Sequence, residues 1–318
     1  MRLAILGATS QIAKDLVRSF AAQGTHELAL YARRPEAVKQ WLTSVDLPER
    51  YPASDFEAFT KVEHFDAILN FVGVGNPAQA VAMGAAIFDV TLEYDELALS
   101  YVRHHPTCRY IFLSSGAAYG ASFDVPVNAT SRAVIDINNL QAQDWYAIAK
   151  LHAECRHRSL APLPIVDIRV FNYFSHTQDM EARFLITDIV RAIRDNEVLN
   201  TLAENVVRDF IGPDDFHQLV NAILTSPATN AAVDCYSDAP IDKTALLAAI
   251  QAQFGLQYEL MTNVHGVNAT GSKPYYFSLN KQAGNFGYIP KYTSLKWIEK
   301  VLQNIEQDSK KSIIQHKA

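Results

Sequence analysis

The chain begins with an unbroken apolar run, Leu3-Ala-Ile-Leu6. A short continuous run of this kind reads as a strand buried on both faces of a parallel sheet. It breaks at Gly7-Ala-Thr-Ser-Gln-Ile-Ala13, and the apolar positions then take helical spacing, with Ile12, Leu16, Val17 and Phe20 on one face. Glu27 to Tyr31 predicts a second strand and closes a βαβ unit. Ala67-Ile-Leu-Asn-Phe-Val72 predicts another strand, ending at Gly73-Val-Gly75, and Ala80–Val90 and Tyr94–His104 predict helices. Arg109–Leu113 reads as a strand running into Ser114-Ser-Gly-Ala-Ala-Tyr-Gly120. A polar stretch, a helix around Tyr146 and the strand Ile165-Val-Asp-Ile-Arg-Val170 follow. Strands alternating with helices through residue 170 predict an α/β fold with a doubly wound parallel sheet.

Beyond residue 170 the alternation loosens. Helices are expected near Phe184–Arg194 and at Asp215–Thr225, Leu246–Phe254 and Thr293–Glu306, with a segment at Val206–Ile211 and a loose, lysine-bearing tail from Asp308. No repeat and no low-complexity linker separates these elements, so the second unit must be interwoven with the first. The expected division is a sheet domain over 1–172, rejoined by about 212–240, and a smaller C-terminal substrate domain made of 173–211 and 241–318. A net charge of −6 without a long basic run speaks against a nucleic-acid partner. No apolar run is long enough to span a bilayer, which predicts no membrane partner. The three cysteines, Cys108, Cys155 and Cys235, lack paired spacing, as in a reducing compartment, and predict neither a metal site nor a disulfide. The opening run is too short for a secretory signal, so a cytoplasmic protein is expected.

Two stretches suggest chemistry. A glycine turn that opens a helix after a first buried strand suits a dinucleotide pyrophosphate, because the helix N-terminus offers free N–H groups. Gly7 takes the first glycine position, Ser10 and Ala13 stand where further glycines are often found, and Thr9, Ser10, Gln11 and Ile12 would form the cradle. An ordinary βα turn has the same form. At the end of the second strand, Leu28-Ala-Leu-Tyr-Ala-Arg-Arg34 holds no acid for the ribose hydroxyls of NAD. Arg33 and Arg34 suit the 2′-phosphate of NADP, which is favoured over NAD; the alternative is a solvated loop. The second stretch is Tyr146-Ala-Ile-Ala-Lys150, which puts a phenol and an ammonium on one helix face, where the ammonium would favour the phenolate.

Taken in order, the motifs resemble the extended short-chain dehydrogenase/reductases, the NAD(P)-dependent nucleotide-sugar epimerases, dehydratases and reductases. The matching pieces are Gly7–Ala13, Asp55-Phe56, Asn70-Phe-Val-Gly73, Leu113-Ser-Ser-Gly-Ala-Ala-Tyr-Gly120, Tyr146 with Lys150, Arg169-Val-Phe-Asn172, Val207-Arg-Asp-Phe-Ile211 with Asp214-Asp215, and Gly287-Tyr-Ile-Pro290. The resemblance implies a Rossmann-type sheet with Asp55 and Phe56 at the adenine ring and Phe71, Val72 and Gly73 as backbone over the cofactor. It also implies Ser115 as the hydrogen-bonding partner of the reacting group, Tyr146 as acid/base, and Lys150 as the lysine that tunes Tyr146 and holds the nicotinamide ribose. Asn172 and Arg208 would meet the diphosphate of a nucleotide-diphosphate sugar. A homodimer through the helices Tyr94–His104 and Tyr146–His157 is a further implication.

The departures carry information. Only one glycine of the turn remains, and the stretch before Tyr146 is long, with an insertion expected in Asp124–Asn139. Dehydratases of the family carry an acidic pair directly after the active-site serine or threonine; Gly116 and Ala117 stand there and cannot transfer a proton. The expected activity is reduction of a 4-keto nucleotide sugar with NADPH. The alternatives are an NAD-dependent C4 epimerase and a non-catalytic NADP-binding regulator. Phe174, Tyr275, Tyr276 and Phe277 are expected in the core, with stacking on a base or sugar as the alternative.

Overall fold

Leu3 and Ile5 face one side of the first strand, Ala4 and Leu6 the other, and all four are fully buried. The strand therefore lies in a sheet covered on both faces. The computed structural model describes residues 1–47, 50–74, 77–120, 123–262 and 273–315. Gly75 of the expected Gly73-Val-Gly75 strand end lies outside the described residues, as do 263–272 and the end of the tail.

The central sheet has seven parallel strands: β1 Arg2–Leu6, β2 Glu27–Tyr31, β3 Ala53–Ser54, β4 Ala67–Asn70, β5 Arg109–Ser115, β6 Ile165–Val170 and β7 Ala231–Cys235. Their order is β3-β2-β1-β4-β5-β6-β7. The winding reverses between β1 and β4, and the carboxyl ends of these strands open the crevice where such sheets take ligands. The helices are α1 Gln11–Gln23, α2 Pro35–Ser44, α3 Phe56–Phe59, α4 Pro77–Met83, α5 Ala86–His104, α6 Trp145–Ser159, α7 Leu185–Asp195, α8 Pro213–Thr225, α9 Lys243–Phe254 and α10 Ser294–Gln315.

One face of the sheet buries Leu16, Val17 and Phe20 of α1, Val38 and Leu42 of α2, and Leu219, Val220 and Ile223 of α8. The other buries Phe59 of α3, Leu99 and Val102 of α5, and Ala153 of α6. A separate core joins Ile186, Ile189 and Val190 of α7, Leu246, Leu247 and Ile250 of α9, and Trp297, Ile298 and Val301 of α10 around Phe174. Beside it the strands Val198–Leu202 and Gln257–Met261 pair in parallel.

Several elements differ from the pattern. The two helices expected at Ala80–Val90 and Tyr94–His104 are the short α4 and one continuous α5, whose buried side (Ile87, Thr91, Tyr94, Asp95, Ala98, Leu99, Val102) runs across the expected break. α2 escaped the pattern because it buries only Val38 and Leu42. β7, Ala-Ala-Val-Asp-Cys, carries a charge in its middle and reads as no strand, yet Asp234 is fully buried there. The tail expected to be loose from Asp308 continues α10 to Gln315.

Candidate active site

β5 ends at Ser115, whose side chain caps the 3-10 turn Gly116–Tyr119 by accepting from the Ala117 amide at 3.1 Å. Tyr146 is the second residue of α6, and Lys150 follows one turn later. The α6 helix packs beside β5 and its turn, and thereby brings Ser115, Tyr146 and Lys150 together. The Lys150 ammonium donates to the Leu113 carbonyl at 2.7 Å, lies 4.4 Å from the centroid of the Phe112 ring and 5.9 Å from that of Tyr146. Lys150 is 5% exposed, and burial lowers its pKa to about 8 against the raising pull of Asp95, Glu154 and Asp167. Burial also pushes the Tyr146 phenol up, and the hydrogen bond with Ser115 pulls it partly back. In this structure the downward pull on Tyr146 comes from Ser115. The Lys150 ammonium is held toward Leu113 instead.

The carboxylates behind Lys150 belong to two buried networks. His157 meets Asp167 at 2.6 Å and Asp95 at 2.7 Å, while Arg158 and Arg156 reach the other oxygens of the same two groups. Tyr110 donates to Asp95 and accepts from Asn70, whose side-chain oxygen takes the Val72 amide at 2.9 Å. This chain fixes the loop after β4. In the second network, Ser114 donates to Glu154 at 2.5 Å, and Glu154 pairs with Arg169, which also donates to Tyr119 and Asp234.

The glycine turn is built for close approach. Gly7 sits at φ +79°, and a Cβ there would lie 2.7 Å from the Val72 nitrogen and 2.8 Å from the Phe71 carbonyl carbon. Only glycine suits both demands. Ser10 caps α1 through its side chain, and Gln11 donates to Ser175. One turn into α1, the buried Asp15 accepts from Tyr173, Ser175 and Thr177, which ties the helix to the segment after β6. Thr9 is exposed and Ile12 half-buried on the same turn. A Cβ on Gly73 would lie 3.6 Å from the Lys150 ammonium, so Phe71, Val72 and Gly73 run between the turn and the lysine. Arg33 and Arg34 are exposed at the end of β2 and have no carboxylate partner among the described residues. Asp55 caps α3, and Phe56 packs against Tyr94 at 4.5 Å. These residues fit a dinucleotide: a close backbone turn, a capped helix start and, beyond it, two unpaired cations.

On the opposite side of Ser115, Arg208 donates to the backbone carbonyls of Lys273 and Pro274, and Asn172 to that of Asp209. Asp209 points away into the interior, where it accepts from the Ser237 amide and the Ser294 hydroxyl. Arg208 thus keeps its charge beside the site, with Lys273 as a neighbouring cation. Phe174 and Phe277 are core residues, as expected, and Tyr275 is 39% exposed. The half-buried Tyr276 ring packs on Phe123 and Phe171 of a small core cluster, and its hydroxyl lies 3.4 Å from Ser115 Oγ. Nothing in its neighbourhood along the chain distinguishes it from the aromatics beside it.

The model of the NAD dependent epimerase/dehydratase family matches residues 3–237. The chain belongs to that family. It is an enzyme of the short-chain dehydrogenase/reductase type. A comparison with curated proteins finds no match. Among solved structures, the dTDP-glucose 4,6-dehydratase of Bacillus anthracis str. Ames, in complex with NAD, is similar at 16% identity and TM-score 0.77, covering 98% of both chains. The UDP-glucose-4-epimerase of Stenotrophomonas maltophila is similar at 15% identity and TM-score 0.77, over 97% of this chain and 99% of that one. The UDP-glucuronic acid 4-epimerase of Bacillus cereus is similar at 12% identity and TM-score 0.75, over 96% and 99%. At these identities the likeness is one of fold.

The position after the serine is closely packed. A Cβ on Gly116 would lie 2.4 Å from the Phe171 ring, so that ring fills the space a first carboxylate would need. Ala117 spends its amide on Ser115. The absence of a side chain at Gly116 therefore has a packing reason in the Phe171 ring.

Proposed function

We propose that the protein reduces a 4-keto nucleotide sugar with NADPH. The observation that carries the reading is the ring of Phe171 against Gly116, which leaves Tyr146 as the proton donor beside Ser115. When bound, the nicotinamide cofactor supplies the hydride. Gly7, Thr9, Ser10, Gln11 and Ile12 hold its pyrophosphate, Asp55 and Phe56 its adenine, Phe71, Val72 and Gly73 line its path, and Arg33 and Arg34 take a 2′-phosphate. Ser115 polarises the substrate oxygen, Tyr146 gives it a proton, and Lys150 holds the ribose and steadies the phenolate that remains. The sheet unit, 1–172 with 212–240, carries the cofactor. Residues 173–211 and 241–318 shape the substrate side, where Asn172 and Arg208 meet the diphosphate. The working form is a homodimer through α5 and α6.

The test starts with mass spectrometry of ligand retained on the purified protein, followed by binding of NADPH and NADH and turnover on UDP- and dTDP-linked 4-keto hexoses. A site that takes up NADPH more tightly than NADH and turns over a keto sugar supports the reading. Tightly retained NAD with interconversion of C4 epimers would replace it with the epimerase, which the same three residues can serve. Tyr146→Phe excludes the regulator: it should bind NADPH normally and lose turnover by roughly a hundredfold or more.

A further inference from the structure

Tyr276 brings to Ser115 a hydroxyl that none of the motifs read from the sequence assigns. It lies in the short strand Tyr275–Tyr276, paired in parallel with Val207–Arg208, and the Tyr275 amide donates to the Phe123 carbonyl at 3.0 Å. The segment is therefore anchored on both sides of the site. The Tyr276 ring packs edge-on to Phe123 at 4.7 Å and tilted on Phe171 at 5.2 Å, while Lys273 and Arg208 lie over it at 5.0 and 6.0 Å. Phenylalanine would satisfy that ring packing equally well. The hydroxyl, however, is aimed at Ser115 Oγ, 3.4 Å away, on the oxygen that also meets Tyr146. Ser115 already accepts from the Ala117 amide, so its oxygen stands at the meeting point of two phenols and a backbone N–H.

Resting on the reductase reading, we infer that Tyr276 is a second hydrogen-bond donor to the reacting oxygen, holding it against Ser115 while Tyr146 transfers the proton. The balance is simple: hydride adds to the carbonyl carbon, the carbonyl π pair moves to oxygen, and that oxygen takes the proton of Tyr146. Tyr276 keeps its proton throughout. Burial raises its pKa, which keeps it a donor, and the two cations over its ring strengthen the O–H dipole. A donor placed where negative charge develops is the arrangement of an oxyanion hole.

Tyr276→Phe and Tyr276→Ala test this with UDP, dTDP and GDP, each alone and as its hexose conjugate, and with the keto sugar that the wild type reduces. Tyr276→Phe should bind NADPH and the bare nucleotide as wild type does, bind the conjugate several-fold more weakly, and lose roughly tenfold to a hundredfold in kcat. The limb of its pH profile set by Tyr146 should remain. Full kcat and conjugate affinity in Tyr276→Phe, with loss only in Tyr276→Ala, would reduce Tyr276 to packing and overturn the inference. A wild type that binds none of the nucleotides or conjugates would instead overturn the nucleotide-sugar reading, and the inference with it.

Discussion

Lys150 shows how far one side chain depends on its surroundings. Spacing on α6 predicts that it meets Tyr146, but its charge is set by burial against three carboxylates, Asp95 of α5, Asp167 of β6 and Glu154 one turn along α6 itself. A titration of Lys150 followed by ε-13C NMR in the cofactor-free protein should have its midpoint at about 8. In Glu154→Gln it should move lower, because a carboxylate that favours the ammonium is removed. A midpoint at the ordinary lysine value would refute the burial argument. Gly116 offers a second residue-scale prediction. Gly116→Ala forces its Cβ into the Phe171 ring, and should cost about 1–3 kcal/mol in urea unfolding. Adding Phe171→Leu should recover much of the loss, because the two sites share one space. That the position lacks an acid was legible in the sequence. That it has no room for one was not, since Phe171 comes from beyond β6.

At the scale of elements, α5, α6 and β6 are joined by a buried charge cluster. His157 is fully buried, and its two carboxylate partners raise its pKa to about 9 although burial alone would lower it. Asp167 is itself pushed up by burial, so the two partners compete for one proton. The contacts at 2.6 and 2.7 Å, with Arg156 and Arg158 on the far oxygens, favour the imidazolium. The folded value lies above the unfolded value of about 6.5. The cluster's stabilisation is therefore fully present below about pH 6.5 and is lost as pH rises through about 9. Denaturant midpoints should fall between these limits by an amount on the order of 3 kcal/mol in unfolding free energy. His157→Gln should flatten that slope; a wild-type profile already flat from pH 6.5 to 9 would refute the assignment. The α5–α6 pairing was expected from the family as a dimer surface. On its internal side, charged groups from α5, α6 and β6 meet.

For the whole molecule, the start of α8 brings the sheet core and the core around Phe174 together. Gly212, at an unstrained φ of −124°, leaves room for the Trp297 ring of α10, whose indole N–H donates to the Phe174 carbonyl at 2.7 Å. A Cβ on Gly212 would lie 1.9 Å from that ring, so the constraint is steric. Gly212→Ala should lower Tm and stability by about 1–3 kcal/mol, read by thermal unfolding, and Trp297→Phe should also destabilise by removing the indole hydrogen bond. An unchanged Tm in Gly212→Ala would mean that α10 is free to shift.

Legible along the chain were the alternation of strands and helices up to residue 170, the close glycine turn, and the motif order that points to Ser115, Tyr146 and Lys150. Those signals are local: a period of two or 3.6 residues, a turn that tolerates only small side chains, a four-residue spacing. Elements with weak local signals went unread, such as the sparsely apolar α2 and the charge-bearing β7. Packing sets what those residues face. It closed α5 into one helix, set His157 between carboxylates from two other elements, put the Phe171 ring against Gly116, and brought Tyr276 to Ser115 across 161 positions of chain. Contacts of that range come from how the units pack, and no periodicity along the chain records them.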